Sequence, residues 1–507
     1  MKRRFGAREA AAIARLLCDL AAFLIPAVVF IASVSHEPAS WDTAELQGVP
    51  YILGITHPTG FPFYVLVGYA WSHLLPIGSI AFRMNAMCGV AMAFAALTAY
   101  ATARTLGAWR PVALLSTLWY AFTQDVWSHA IRAEAQDVAV ACEAFAIYAF
   151  VRWMKGGSDR WFAGAWGMLG LGIAAHPNAV WLVPGFVAGA LVAKRRPAAR
   201  LVAGALALTA AGLLLYLYLP LRSAYVVAHG LDPTHVLVGT NGGIFWNYNN
   251  PSTARGLLRA LSGSESDAPR YFLASFNPVH LQDALAAFVR GITDQFDAFV
   301  LVLVLIGVAI AWKRDWRTTL FLCIACTAAL LFSVTYPNEA DVGRYRMMAL
   351  WLVVPLLGAI VPAGLSGDAR TRLVRAAVCV VLAIGAGMAF YAQRRFFVHA
   401  PGEGGRWVID AVRPVVPRGG VIVVAGWLDA TSLAYGAYAD HSLPNRIVVS
   451  GWDPHIAGEY ETWAKTRPVF ILADPHDVTA VPGAKAPVRL DDYHELFAVN
   501  APRPTGR

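Results

Sequence analysis

The sequence predicts an α-helical polytopic membrane protein of about eleven transmembrane helices, followed by a small C-terminal α/β unit outside the membrane. Three observations predict it. Of 507 residues, 57% are hydrophobic and only 14% charged, against about 25% charged in soluble globular chains. Mean hydropathy is +0.51. The basic residues fall in short clusters between apolar runs, as loops flanking spans do. That scatter also excludes nucleic acid as the reason for the net charge of +9.

The N-terminus carries Lys2, Arg3, Arg4, Arg8 and Arg15 ahead of an apolar run from Leu16 to Val34. Ser33 and Ser35 would suit a signal-peptide cleavage site, but the run exceeds the roughly 7–15 residues of a signal core. It reads as an uncleaved first span. A span needs about 20 apolar residues. Eleven stretches fit: 16–34, 81–104, 111–126, 134–153, 161–176, 178–193, 200–220, 293–312, 317–335, 347–364 and 373–391. Residues 61–78 are apolar but broken by Pro62, Gly68, Pro76 and Gly78, and read as an interfacial helix.

With the N-terminus inside, alternate loops carry Arg104 and Arg110; Arg152, Lys155 and Arg160; Lys194, Arg195, Arg196 and Arg200; Lys313, Arg314 and Arg317; and Arg370, Arg372 and Arg375. Each short inside loop is basic, as the positive-inside rule requires. Residues 1–391 then form a membrane domain with outer loops 35–80 and 221–292, and 392–507 form a periplasmic domain. The expected location is a bacterial inner membrane, N-terminus cytoplasmic and C-terminus periplasmic. In the tail, β-rich runs at Val421–Ala425, Ile447–Ser450 and Val469–Ala473 alternate with helix-like stretches, an α/β pattern. The Pro-rich end after Val499 is expected to be disordered. The six cysteines all lie in apolar segments, which argues against a disulfide framework. Cys323-x-x-Cys326 reads as small lipid-tolerant residues rather than a redox motif.

Chemistry-bearing residues gather on the outer side. In Trp41-Asp42-Thr43-Ala44-Glu45, a helix places Asp42 and Glu45 on one face at i, i+3. Such a pair could deprotonate an acceptor hydroxyl or hold a divalent cation, or could simply belong to a helix N-terminus. His57-Pro58-Thr59-Gly60 is a rigid turn, and His57 could contact a phosphate or act as a base. His176 lies in a tight outer turn. Arg132 and Glu134 sit at another, and Arg222 ends the seventh span. Asp341, Arg344 and Tyr345 lie in the 336–346 loop. Arginines on the outer side, where positive charge is not favoured, point to phosphate binding, although membrane-edge arginines also snorkel to headgroups. Gly242–Pro251 is rich in amides and rings, and its Trp246 and Asn247 suit carbohydrate, or for Trp246 the interfacial belt.

These motifs resemble a family of polytopic GT-C-type glycosyltransferases, formerly of unknown function, that includes the vertebrate transmembrane protein O-mannosyltransferase. The resemblance rests on W-D-x-x-E at Trp41–Glu45 and L-G-I-x-H-P-x-G-x-P at Leu53–Pro62. Arg132-Ala133-Glu134, Leu171–His176, Leu219–Arg222 and Trp246–Pro251 add to it. It covers roughly residues 16–350. Thr59 replaces a second proline, Phe61 a common tyrosine, and Ala135-Gln136 a common Val-Tyr. The resemblance implies a GT-C-like fold and a polyprenyl-phosphate sugar donor. It also implies an acidic residue in the first outer loop that acts as catalytic base, here Asp42 with Glu45 as partner. His57, Arg132, Glu134, His176, Arg222, Trp246, Asn247, Asp341, Arg344 and Tyr345 are then expected to bind substrate. Cationic surroundings are expected to keep the carboxylate pair ionised. No cofactor is required by the motifs, and a divalent cation is left open.

Cytoplasmic loops lack a P-loop or a Rossmann glycine fingerprint, as a lipid-linked donor allows. The expected partners are a polyprenyl-phosphate-linked sugar, membrane lipid, and a protein or glycan acceptor, with no nucleic acid. The rival reading is a transporter or flippase of a lipid-linked sugar, which would place charges at mid-span; a scaffold role would leave Asp42 and His57 unexplained.

Overall fold

The computed structural model describes residues 2–264, 267–336, 342–364, 368–397, 404–451, 457–474 and 487–499. The chain order begins α1 (Lys2–Ser33), α2 (Trp41–Ile52), α3 (Pro62–Leu74), α4 (Ile80–Thr105), α5 (Arg110–Ala121), α6 (Gln124–Ala130) and α7 (Ala135–Met154). It continues with α8 (Asp159–Ala175), α9 (Val183–Val192), α10 (Ala199–Leu213), α11 (Tyr218–Ala228), α12 (Ala254–Ser262), α13 (Ala268–Ala274), α14 (Leu281–Phe296), α15 (Ala298–Thr327), α16 (Ala329–Ser333), α17 (Gly343–Ile360) and α18 (Ala369–Phe397). The last part holds α19 (Gly405–Val412), β1 (Val421–Val424), α20 (Trp427–Ala434), β2 (Ile447–Ser450), α21 (Ala457–Ala464), β3 (Val469–Ala473), β4 (Val488–Arg489) and β5 (Glu495–Val499). Two compact units result. One is Met1–Val34, Ala86–Leu215 and Asp267–Ala400; the other is Ser35–Asn85, Tyr216–Ser266 and Pro401–Arg507.

The first unit is helical. Five helical stretches are long and apolar enough to cross a membrane: Ala12–Ser33, Ile80–Thr105, Ala199–Ala228, Gly343–Ile360 and Ala369–Arg394. A sixth arises if Pro278–Phe296 and Ala298–Ser333, bent by 120°, make one broken span. The expected eleven therefore reduces, by length and apolarity alone, to five or six among the described residues. The reason is physical. α5 has 12 residues, α8 has 17 and α9 has 10, all short of the roughly 20 that span a bilayer unaided. α7 has 20 residues but carries Asp137, Glu143 and Arg152. The stretch expected to start at 293 is instead split at Asp297, with α14 ending before it and α15 starting after it.

Burial sorts these helices. α17 is almost wholly buried, whereas α1, α10 and α18 show leucine, isoleucine and valine side chains outward, where lipid is the natural solvent. Phe150 packs against Phe186 and Phe321 with ring centroids 4.7 and 4.6 Å apart, distances typical of offset aromatic pairs. α8 and α10 approach backbone to backbone: a Cβ on Gly170 would lie 2.5 Å from the Thr209 carbonyl oxygen. Small residues permit such packing where no hydrophobic effect drives helices together. Asp137 and Glu143 are fully buried within α7. Both lie inside the stretch 134–153 expected to span, where the rival transport reading would place charges.

The second unit holds a five-stranded sheet of order β2-β1-β3-β5-β4. β1 pairs in parallel with β2 and β3, and β5 pairs antiparallel with β3 and β4. The three strands expected from sequence are present. β4 and β5 were not foreseen from the sequence; β4 has only two residues, too few for a period-two signal. Leu237, from the segment after α11, joins Val421, Val423, Val469 and Ile471 in the apolar core under the sheet. The Trp463 indole N–H donates to the Val238 carbonyl at 3.0 Å. The C-terminal tail and the 216–266 segment thus share one core.

Candidate active site

α2 begins after Ser40 and puts Asp42 in its first turn, where the helix dipole favours a carboxylate. It ends at Leu53, which is left-handed at φ 52°, and whose N–H returns to the Pro50 and Val49 carbonyls. The chain then doubles back. Ile55 N–H donates to the Phe245 carbonyl at 3.1 Å. A Cβ on Gly54 would stand 1.7 Å from that same oxygen, so only glycine lets the two backbones approach. At the turn, Gly60 adopts φ 85° and donates to the His57 carbonyl at 2.9 Å.

This return folds His57 onto α2. Its main-chain N–H donates to Glu45 Oε1 at 2.9 Å, and its ring Nδ1 pairs with Glu45 Oε2. Its Nε2 lies 3.9 Å from Asp42 Oδ2. The i, i+3 spacing does what helix geometry allows: both carboxylates reach one imidazole. Their settings differ. Glu45 is fully buried, whereas the Asp42 and His57 side chains keep 19% and 23% of their exposure. Burial pushes the Glu45 pKa above the ordinary carboxylate range, His57 draws it back, and Asp42 pushes it up again. With no exposed side chain, Glu45 departs from the expectation of a carboxylate touching substrate. It anchors His57. Asp42 is the carboxylate a substrate can reach.

Sequence reasoning missed Trp427. This first residue of α20 donates its indole N–H to Asp42 Oδ1 at 2.8 Å. Its ring stands edge-on to His57 at 6.2 Å and to Tyr248 at 5.8 Å. Phe61 meets His57 edge-on at 5.1 Å. Some 385 residues separate Trp427 from Asp42, so no local motif could reveal the pairing.

Arg222 takes a different place from the phosphate contact expected of it. Its Nε donates to the Leu53 carbonyl at 2.5 Å and its Nη2 to that of Ile52 at 3.2 Å. It caps the C-terminus of α2, where orphan carbonyls and the helix dipole favour a cation. Tyr218 hydroxyl donates to the Gly54 carbonyl at 2.8 Å nearby. Asn247 is buried, and its Oδ1 accepts from Ser223 Oγ at 2.6 Å. It knits the 242–251 loop to α11. Trp246 is half-buried. The neighbouring Tyr248 is the ring of this loop that meets Trp427.

The remaining expected residues lie in the first unit. Glu134 stands between two guanidiniums, 3.6 Å from Arg132 Nε and 3.9 Å from Arg344 Nη1. Arg346 pairs with Asp125 at 3.0 Å. His129 Nδ1 is 3.4 Å from Arg132 Nη2. Burial, then the charges of Arg132, Arg344 and Arg346, hold the His129 pKa well below its ordinary value, so this ring is neutral. Asp125 and His129 were not singled out from sequence; the only signal was their nearness to Arg132 along the chain. Tyr345 is buried edge-on to Phe332 and Tyr336, at 5.1 and 5.9 Å, a packing position. His176 ends α8, and its Nδ1 accepts the Asn178 N–H at 3.2 Å, as a turn residue does. Asp341 lies outside the described residues. Among the described residues no group of three or more His, Cys, Asp or Glu is arranged to hold a metal ion.

The fold belongs to a known class of polytopic membrane proteins. ArnT from Cupriavidus metallidurans in the apo state superposes with a TM-score of 0.55 at 12% identity, covering 97% of this chain and 99% of that one. The same protein bound to undecaprenyl phosphate superposes at 0.53 and 13% identity, covering 94% and 97%. Within that fold, residues 42–199 match the family described as the Protein O-mannosyl-transferase TMEM260 N-terminal domain, the family the motifs resemble. Protein O-mannosyl-transferase TMEM260 of Mus musculus is 30% identical over 116 residues, 23% of this chain and 16% of that protein. Its counterpart in Dictyostelium discoideum is 24% identical over 121 residues, 24% of this chain and 15% of that protein. The matched stretch spans about a sixth of these relatives' length. The family match begins at Asp42 and includes Glu45 and His57.

Proposed function

We propose that the chain is a GT-C-type membrane glycosyltransferase. It moves a sugar from a polyprenyl-phosphate donor to a hydroxyl of a protein, glycan or lipid acceptor on the periplasmic face. The observation that carries this reading is the accessible Asp42 carboxylate, set beside a His57 that buried Glu45 holds by two contacts. The acceptor oxygen attacks the anomeric carbon while its proton passes to Asp42. The bond from that carbon to the phosphate oxygen breaks, and the electron pair leaves with the phosphate. Arg132 and Arg344 keep their expected role as phosphate ligands, since guanidinium groups bind phosphate through charge-assisted hydrogen bonds. The names of the matched relatives support a sugar transferase, and the undecaprenyl phosphate held by the ArnT structure supports a lipid-linked donor. The finer topology belongs to the same proposal: about eleven membrane passes in a bacterial inner membrane, N-terminus cytoplasmic, C-terminal unit periplasmic.

A second reading, a transporter or flippase of a lipid-linked sugar, draws support from Asp137 and Glu143, buried inside α7. Carboxyls within membrane helices often mark transport pathways. One experiment separates the two. Purified protein in vesicles is given radiolabelled polyprenyl-phosphate sugar, and cleavage is measured alongside transbilayer movement. Cleavage that falls about 10²–10⁴-fold in Asp42→Asn, the scale of a lost general base, supports the transferase. Movement without cleavage supports the flippase. Near-normal cleavage by Asp42→Asn refutes Asp42 as the base.

A further inference from the structure

We infer that Trp427 is a positioning residue for the base: its indole N–H fixes the Asp42 carboxylate so that one oxygen is held and the other is presented to the acceptor hydroxyl. This inference rests on the reading of Asp42 as the base. It goes beyond that reading by giving the C-terminal unit a direct part in the chemistry.

The two oxygens of Asp42 have different surroundings. Oδ1 accepts the Trp427 N–H at 2.8 Å, while Oδ2 faces His57 Nε2 at 3.9 Å. A free aspartate on a helix surface rotates about its terminal torsion, which has broad wells. A hydrogen bond to one oxygen fixes the carboxylate plane and thereby aims the other. Proton transfer needs that aim, because the accepting atom must lie within hydrogen-bond reach of the proton it takes.

The donor is itself held. The Trp427 ring is bracketed edge-on by His57 and Tyr248, so swinging the indole away disrupts both contacts. α20 is tied to the segment that leads into α2 by Ser432 Oγ, which donates to the Ala39 carbonyl at 3.1 Å. Ala39 N–H in turn donates to Gln47 Oε1 within α2 at 3.0 Å. At its other side, Asp429 pairs at 3.2 Å with His494, beside β5. The helix carrying the donor and the helix carrying the base are thus locked in register. Trp71, Trp351 and Trp463 donate their indole N–H groups to the Arg83, Ala95 and Val238 carbonyls, and Trp127 to Ser33 Oγ. Trp427 donates to the reachable carboxylate instead.

The test is a double-mutant cycle on cleavage of radiolabelled polyprenyl-phosphate sugar. Trp427→Phe keeps a ring and removes the donor. It should lower kcat about 10-fold or more, the scale of a lost charge-assisted hydrogen bond, with KM for the donor within about twofold. On the Asp42→Asn background the same change should do almost nothing further, because both substitutions act through one carboxylate. A full additional loss in the double mutant, or a loss that appears only as lowered thermal stability, overturns the inference and leaves Asp42 standing. Normal activity of Asp42→Asn alone overturns the inference and the reading beneath it together. If Trp427→Phe does not fold, the wild-type chain with 15N-labelled indoles is compared with Asp42→Ala by NMR. A shifted indole N–H resonance supports the contact, and an unchanged indole spectrum refutes it.

Discussion

Replacing Glu45 by Gln isolates the part played by the buried anchor. Glu45 gives His57 two acceptors, one for its main-chain N–H and one for ring Nδ1. Glutamine keeps a carbonyl oxygen for the main-chain N–H at 2.9 Å but turns an NH₂ toward Nδ1. The charge-assisted contact is lost and the imidazole is pushed toward its other tautomer. Such a contact contributes about 1.5–3 kcal/mol, which corresponds to a rate loss of about 10–150-fold if the aim of His57 matters in the transition state. That is less than the 10²–10⁴-fold expected of Asp42→Asn, because Glu45 has no exposed surface with which to touch substrate. Single-turnover donor cleavage, measured for both variants in one preparation, checks the order. A Glu45→Gln loss equal to that of Asp42→Asn would make Glu45 a direct participant, and a silent Glu45→Gln would remove His57 from the mechanism.

The same substitution has a signature in stability. Burial raises the folded-state pKa of Glu45 above its unfolded value. A group so shifted contributes stability that is fully present below its unfolded pKa, near 4.3, and lost as pH rises through the folded pKa. Thermal unfolding of wild type should therefore worsen relative to Glu45→Gln as pH rises from about 4 toward neutrality. Parallel curves for the two proteins would contradict the burial argument.

Three further outcomes are expected. Arg222→Ala removes two bonds to the end of α2; it should lower the unfolding midpoint and leave donor KM within about twofold, since each net hydrogen bond contributes on the order of 1 kcal/mol. A raised KM at unchanged stability would instead return Arg222 to the phosphate. Arg344→Ala should weaken binding of polyprenyl phosphate about tenfold or more, read by equilibrium binding in detergent, and normal binding would remove it from the site. Accessibility tags at positions 158 and 368 should react from the cytoplasm and those at 265 and 480 from the periplasm; a cytoplasmic tag at 480 would dismiss the periplasmic site.

Much of this protein is legible without coordinates, for reasons that are local. Apolar runs report membrane helices because the bilayer demands that backbone groups be satisfied within the segment. The α2 helix, with Asp42 and Glu45 on one face, follows from helical periodicity. The His57 turn follows from the fixed φ of Pro58 and the freedom of Gly60. Val421–Val424, Ile447–Ser450 and Val469–Ala473 announce themselves by continuous β-favouring residues. What the tertiary structure alone decides is which partner each polar group meets. Asp42 and Glu45 look alike in sequence, yet Glu45 is fully buried against His57 while Asp42 stays partly open, because burial depends on what the rest of the chain lays over each position. Arg222 was expected at a phosphate and instead caps α2, since the carbonyls at Leu53 lie within its reach only after α11 folds against that helix end. Asp137 and Glu143 lay unremarked in an apolar run. Trp427 pairs with Asp42 across 385 residues, and no sequence period spans that separation: the contact exists because Ser432 and Gln47, through Ala39, dock α20 on α2.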